Sequence, residues 1–303
     1  MTTDLEALRR EHYDGTVLEV ERPRESLMVL RVRPDGPIPK YEAGQWTLLG
    51  LGMWEPRCAG CPEETLSRED ALAVTRRPYS LSCSILAGGE DRLLRPQEEG
   101  GYEFFLALAR EQATGTQGAA LTARLFALEP GCRLWVAEHP QGSYTLAHVQ
   151  PDHDVMFLAT GTGEAPHNRM IWELLRRGHR GRIASVVTVR ELADLAYGPV
   201  HERLMKRFPS YRYVAVATRE PGVEGSRLQE MLQSGALEER AGMRLDPERC
   251  HVFLCGSPGM LGRPRQDAGR RVYPQPPGMI ELLEQRGLRA DPPEGAHIHF
   301  ERY

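Results

Sequence analysis

The chain has 303 residues, 26% of them charged, and a formal net charge of −4. That length is enough for about two domains with apolar cores, and the charge balance excludes a general nucleic-acid binder. The N-terminal Asp4, Glu6, Arg9, Arg10 and Glu11 are unlike a signal peptide, and no apolar run reaches the length of a membrane span. A soluble cytoplasmic protein with no membrane partner is expected.

After a short helical lead, Thr16–Val20 and Leu27–Val32 alternate like strands, and Gly44–Leu51 adds another after the turn-forming segment Pro34–Lys40. Met53 to Thr75 is a polar excursion too poor in β pattern to be core. It carries Cys58 and Cys61 as an isolated CxxC, which reads as two loop thiols or a minor local metal or redox site, since a zinc or iron–sulfur site needs further ligands. The other four cysteines, Cys83, Cys132, Cys250 and Cys255, lie in or beside apolar segments and suit reduced thiols.

Arg77-Pro78-Tyr79-Ser80 is placed by the pattern at the start of a strand. A guanidinium, an aromatic ring and a hydroxyl suit a flavin nucleotide, for phosphate pairing, ring stacking and a hydrogen bond near N5. An ordinary edge strand with a surface arginine has the same composition. Ala87–Gly101 reads as a loop, Tyr102–Ala109 as a strand, and Thr114–Ala119 as a linker. A short helix over Ala120–Phe126 would present its N-terminus to a pyrophosphate. Cys132–Val136 is a strand, and Gln141–Leu146 turns into a last one before a boundary at Pro151 and Asp152.

Beyond that boundary strands alternate with helices. Strand Val155–Thr160 precedes a helix over 166–178, Ile183–Val189 one through Tyr197 to Phe208, Tyr211–Ala217 one near Leu228–Leu232, and His251–Leu254 one from Met279 to Arg286. The pattern predicts two domains: an antiparallel β-barrel over 1–150, then an α/β domain with a doubly wound parallel sheet over 151–303. In the first strand–helix unit, Gly161-Thr162-Gly163 makes a tight turn and Pro166 falls in the first helical turn, where its missing N–H costs nothing. Such a turn aims free amides and the positive end of a helix at one spot, either an anion site or plain scaffolding.

Taken in order, these segments resemble the ferredoxin–NADP+ reductase family, in particular its bacterial ferredoxin and flavodoxin reductases. The matching stretches are Ala43–Trp46, Arg77–Ser80, Tyr102–Phe105 with Leu121-Thr122, Gly161–Pro166, Val189-Arg190, Asp194–Tyr197, Thr218–Glu220, Leu254–Met260 and the closing Phe300–Tyr303. The resemblance implies two cofactors, FAD and NADP, a separate ferredoxin or flavodoxin partner, and no metal. Arg77, Pro78, Tyr79 and Ser80 would hold FAD, with Tyr79 stacked on the flavin and Ser80 near N5; Leu121 and Thr122 would serve its pyrophosphate. Gly161, Thr162, Gly163 and Pro166 would face the NADP pyrophosphate and nicotinamide, with Cys255, Gly256 and Met260 beside them. Ser80, Cys255, Glu301 and Tyr303 would be the catalytic set, Glu301 for proton supply and Tyr303 covering the flavin.

Charge favours NADP over NAD on its own terms. Arg190, Arg219 and Arg227 all fall just past predicted strand ends and can converge on a 2′-phosphate, Ser226 adding a hydroxyl. Arg57, Arg76 and the cluster Arg263, Arg265, Arg270 and Arg271 are candidates for a basic collar that steers an acidic carrier. The chain departs from the family at Glu164 and His167, where apolar residues are usual, at Ser257 in place of Asn, and at the excursions 53–75 and 261–277. A carboxylate at Glu164 would weaken an adjacent anion site, yet it also suits the first turn of a helix.

Overall fold

The computed structural model describes residues 5–61, 64–67, 69–88, 90–109, 117–220, 226–267, 269–290 and 295–302. The chain divides into two compact units, Met1–Cys83 with Arg95–Ser143, and Ser84–Leu94 with Tyr144–Tyr303. No helix among the described residues is long and apolar enough to cross a membrane.

The first unit contains α1 (Leu5–His12), β1 (Gly15–Arg24), β2 (Leu27–Pro34), β3 (Trp46–Gly52), β4 (Val74–Ser80), β5 (Tyr102–Ala107), α2 (Gln117–Leu125) and β6 (Arg133–Val136). Its strands pair antiparallel in the order β4-β3-β6-β1-β2-β5. A bridge from Ser82 to Glu103 brings the two ends together and closes the barrel. The period of two sends Met28, Leu30 and Val32 of β2, Leu49 and Leu51 of β3 and Phe104 and Leu106 of β5 to one interior. Leu121 and Leu125 of α2 plug it, both fully buried. Pro78 is tolerated because β4 is the terminal strand, where one edge needs no N–H donor.

The second unit contains β7 (Asp154–Thr160), α3 (Glu164–Arg176), β8 (Ile183–Val189), α4 (Gly198–Arg207), β9 (Tyr211–Ala217), α5 (Leu228–Ser234), α6 (Ala236–Ala241), β10 (Cys250–Gly256), α7 (Pro258–Leu261), β11 (Arg265–Asp267), β12 (Arg270–Val272), α8 (Met279–Glu284) and β13 (Ile298–Arg302). Five strands pair in parallel in the order β13-β10-β7-β8-β9. One face packs Met156, Leu158, Val186, Val252 and Leu254 against α5, α6 and α8; the other carries Phe157, Ser185, Phe253 and Cys255, beneath α3. Near-continuous burial along β7, β8 and β10 follows from helices on both faces. The winding direction reverses between β7 and β10, the position where doubly wound sheets open a crevice for ligands.

Three segments differ from the sequence-based expectation. Arg77–Ser80 ends its strand rather than starting it, because β4 begins at Val74 inside the stretch read as a polar excursion. Gln141 makes only a bridge to Trp46, so β6 is the last strand of the first unit. The Arg-rich stretch after Leu261 folds as the β11–β12 hairpin, whose exposed residues carry no apolar periodicity to announce it. The expected linker over 114–119 lies in its first residues, 114–116, outside the described residues.

Candidate functional site

At the switch point the backbones of two strand ends are clasped together. After β7 the chain makes a 3-10 turn, Gly161–Gly163, and enters α3. A Cβ on Gly163 would stand 2.1 Å from the carbonyl oxygen of Cys255, and one on Gly256 2.1 Å from Thr160 Oγ1. The amide of Ser257 donates to that same Thr160 oxygen at 2.8 Å. Gly161 differs: its φ is +53° and a Cβ there would meet open space. The start of α3 is itself buried, and the turn ahead of it is reachable only at the half-buried Gly161 and Thr162, a place for a pyrophosphate at the end of the helix. Pro166 is buried in the first turn of α3, where it needs no N–H partner.

Beside the clasp, Cys255 of β10 is fully buried and in register with Glu301 of β13, which is half-buried. A parallel pair of this kind sets the thiol and carboxyl on the same sheet face. Tyr144 completes the group. Burial, and then the charges of Cys255 and Glu301, push its hydroxyl well above the ordinary tyrosine range. Its oxygen lies 2.8 Å from His167 Nε2, and burial pushes that imidazole down to about 3, so it is neutral. His167 Nδ1 is buried without a hydrogen-bond partner among the described residues. Tyr144 carried no sequence signal; His167 was visible only as a polar residue at an apolar family position. Tyr303 lies outside the described residues.

Glu164 turns away from the anion cradle. It is 1% exposed and accepts from the Tyr213 hydroxyl at 3.1 Å, with His201 Nε2 3.1 Å from the same oxygen. His201 Nε2 is also 3.1 Å from Asn168 Oδ1, and its Nδ1 is 2.8 Å from the Tyr211 hydroxyl. An imidazole donating from Nε2 and accepting at Nδ1 satisfies all of these groups. The carboxylate is therefore held by hydrogen bonds and by the positive end of its own helix, in place of opposing a bound phosphate.

The arginines expected at the 2′-phosphate are partly assembled by the sheet. Arg190 follows β8, Arg219 lies just beyond β9, and the Arg219 amide donates to the Arg190 carbonyl at 2.8 Å. Both side chains are exposed, as is Arg227 just before α5. Among the described residues no carboxylate pairs with any of the three guanidiniums. Ser226 is half-buried, with its hydroxyl 3.5 Å from the Arg227 carbonyl. Met260 is not at the surface of the site: it is 5% exposed and belongs to the apolar core on the opposite sheet face, while Ser257 caps α7 by accepting from its amide at 3.3 Å.

In the first unit, register separates two neighbouring arginines. Arg77 and Tyr79 oppose Leu49 and Thr47 and share one face of β4. Arg76 faces the other way and stacks on the Trp135 ring at 4.0 Å. Burial pushes the Tyr79 hydroxyl upward, the Arg77 charge opposing it. Ser80 is buried at the strand end opposite Trp46, and Pro78 is exposed. Leu121 is wholly inside the barrel, and Thr122 Oγ1 accepts from the Ala109 amide at 3.2 Å. With α2 starting at Gln117, the amides of Leu121 and Thr122 fall in its second turn, where a helix pairs them internally. The helical amides without an intrahelical acceptor are those of its first residues, 117–119. Arg57 is half-buried.

Residues 157–265 match the oxidoreductase NAD-binding domain family. The chain is 31% identical over 258 residues to a ferredoxin–NADP reductase of Pseudomonas aeruginosa, covering 82% of this chain and 86% of that one. It is 27% identical over 250 residues to the flavodoxin/ferredoxin–NADP reductase of Escherichia coli K12, with the same coverages. A crystal structure of a ferredoxin NADP+ reductase from Neisseria gonorrhoeae, with bound FAD and NADP, superposes with a TM-score of 0.67 at 17% identity over 95% of this chain and 97% of that one. The clasped switch point, the barrel and these relatives lead to one assignment: the chain belongs to the ferredoxin–NADP reductase family.

Proposed function

We propose that the protein is an FAD-dependent NADPH oxidoreductase that exchanges electrons with a ferredoxin or flavodoxin. The clasp at the switch point carries this reading: Gly163 and Gly256 bring two strand ends together so closely that only glycine fits, beside the open Gly161 turn and two exposed arginines. That donor set fits a dinucleotide with a third phosphate. In the first unit the guanidinium, ring and hydroxyl of Arg77, Tyr79 and Ser80 on one strand end fit a flavin nucleotide. When bound, the pair of cofactors supplies hydride transfer and the conversion of a two-electron donor into single electrons.

The chain's own residues have narrower tasks. Gly161, Thr162 and Gly163 form the turn that meets the NADP pyrophosphate, and Arg190, Arg219 and Arg227 with Ser226 read the 2′-phosphate. Cys255 and Gly256 bound the nicotinamide end, with Glu301 as the group that holds or releases a proton and Tyr303 as the terminal aromatic. Arg77, Tyr79 and Ser80 hold the flavin, and Pro78 stiffens their strand. The first amides of α2, at 117–119 and ahead of Leu121 and Thr122, serve the FAD phosphates. In this reading the flavin domain lies within residues 1–150, apart from Ser84–Leu94 and Tyr144–Gln150, which fold with the second unit, 151–303 form the NADP domain, and Arg263, Arg265 and Arg270 on and beside the β11–β12 hairpin face an acidic carrier.

The purified protein is expected to be yellow, and to favour NADPH over NADH. R190A/R219A should cut the ratio of kcat/KM for NADPH to that for NADH by about 10- to 100-fold, the range for losing charge-assisted contacts to a phosphate. A colourless protein, or an unchanged ratio in the variant, would overturn the reading.

A further inference from the structure

Nothing in the flavin or NADP reading uses the Cys58–Cys61 pair. The segment Cys58-Ala59-Gly60-Cys61 is a tight turn, Gly60 supplying the left-handed conformation at φ +79°, and it brings the two sulfurs to 3.1 Å. Both thiols are free and half-buried. Cys58 packs on the barrel core, and its amide donates to the Ala123 carbonyl of α2 at 2.8 Å. The buried Arg124 fastens the same loop to that helix, donating to the Met53 carbonyl at 2.8 Å, the Glu64 carboxylate at 2.6 Å and the Ala120 carbonyl at 2.9 Å. Among the described residues no group of three or more His, Cys, Asp or Glu side chains is placed to hold a metal ion.

We infer that Cys58 and Cys61 form a reversible dithiol–disulfide couple whose state is transmitted to α2. The thiols sit about 1 Å beyond bonding separation, in one turn, with one of them anchored. The oxidant class is a small-molecule disulfide such as oxidised glutathione. The Cys61 sulfur attacks it and expels one thiolate; the Cys58 sulfur then attacks the mixed disulfide and expels the second. One protein disulfide forms, one external disulfide becomes two thiols, and the two protein protons leave on those thiols. Burial and then the neighbouring sulfur push the Cys58 thiol up to about 11, which fits it as the resolving partner. Closing the bond shifts an anchored residue, and the anchor is the helix whose first amides are read above as FAD ligands. The second half of the inference rests on that reading.

The test uses FAD-loaded protein equilibrated in glutathione buffers from reducing to oxidising, alkylated, and mapped by peptide mass. Wild type is expected to pass from two alkylated thiols to a Cys58–Cys61 linked peptide lighter by two hydrogens, and back, with neither C58S nor C61S doing so. FAD release is expected to be at least about threefold faster from the oxidised protein, a difference of about 0.7 kcal/mol, and independent of buffer in C61S. Mixed disulfides that never resolve, or tight retention of one zinc ion with no disulfide, would overturn the couple. A disulfide that forms while FAD release stays constant would overturn its transmission to α2. Protein that binds no FAD in either state would overturn the flavin reading, and the disulfide map would still decide the couple.

Discussion

Gly161 and Gly163 sit two residues apart in one turn and need glycine for opposite reasons. Gly161 has a left-handed backbone and free space around it, so alanine there costs conformational strain of about 1 kcal/mol and little else. Gly163 has an ordinary helical backbone but no room, because the obstacle is the Cys255 carbonyl and not a side chain that can swing away. G163A should therefore destabilise by about 1–3 kcal/mol, as overpacking does, and raise KM for NADPH by displacing the cradle. G161A should leave KM closer to wild type. Thermal unfolding and steady-state kinetics on both variants check this, and an unperturbed G163A would mean the clasp yields. Neighbouring residues were separable in the sequence only by spacing. Arg77 is read there with the flavin motif and Arg76 with the basic collar, and the pairing of β4 with β3 adds that Arg76 stacks on Trp135 while Arg77 shares a face with Tyr79.

Helix α3 is buried over twelve consecutive residues, although Glu164, His167, Asn168, Arg169 and Glu173 are polar. Its amphipathic period was readable from Met170, Ile171, Leu174 and Leu175, but periodicity cannot say that the polar side is also covered. That is why the position of Glu164 stayed open in the sequence, and why the structure settles it through Tyr213 and His201. E164L should cost about 3–5 kcal/mol, because it strands buried donors; E164L/Y213F should cost less than the sum of its single variants, and urea unfolding of the set measures the coupling. The neighbouring strands add a second polar array. His153 Nδ1 lies 2.9 Å from His251 Nε2, and His251 Nδ1 3.0 Å from His299 Nε2, with His148 stacked on His299 and His297 nearby. Burial first, then the other histidines, lower His251 to about 3 and His299 to about 4. Unfolded, both titrate near the ordinary 6.5, so below that pH the unfolded chain binds protons that the native one refuses. Stability should be complete above about pH 6.5 and fall by ~1 kcal/mol per histidine per pH unit toward pH 4. H251N should flatten the urea midpoint against pH; a profile as steep as wild type would remove these histidines from the account.

At the scale of the whole molecule, the two-part plan was legible because a period of two gives way to alternating strands and helices near residue 151. The parallel pairing follows from that alternation, whereas the strand order and the edge strand β13 had no signal in it. The segment Ser84–Leu94 was not legible. It has no periodic pattern, yet it belongs to the second unit: Trp172 Nε1 donates to the Leu94 carbonyl at 2.8 Å, and Arg203 pairs with Asp91 at 2.6 Å. The net charge of −4 conceals a local basic surface at Arg263, Arg265 and Arg270, and long-range fields follow local charge more than the sum. R265E/R270E should slow reduction of an acidic ferredoxin several-fold at low salt, converge on wild type as salt screens the field, and leave ferricyanide reduction intact. Equal ferredoxin rates across the salt series would place the docking surface elsewhere.

The strap at Ser84–Leu94 also has a consequence for synthesis. Leu94 leaves the ribosome 78 residues ahead of Trp172, its hydrogen-bond partner, so an early-made segment must wait for a late-made helix. Behind it, the barrel cannot close until β6 has been made, since β6 lies between β3 and β1. Neither unit is finished when the chain first has enough length to collapse. The nascent protein therefore carries the strap without its helix for at least 78 residues of synthesis, an interval in which partly folded chains are prone to misassembly.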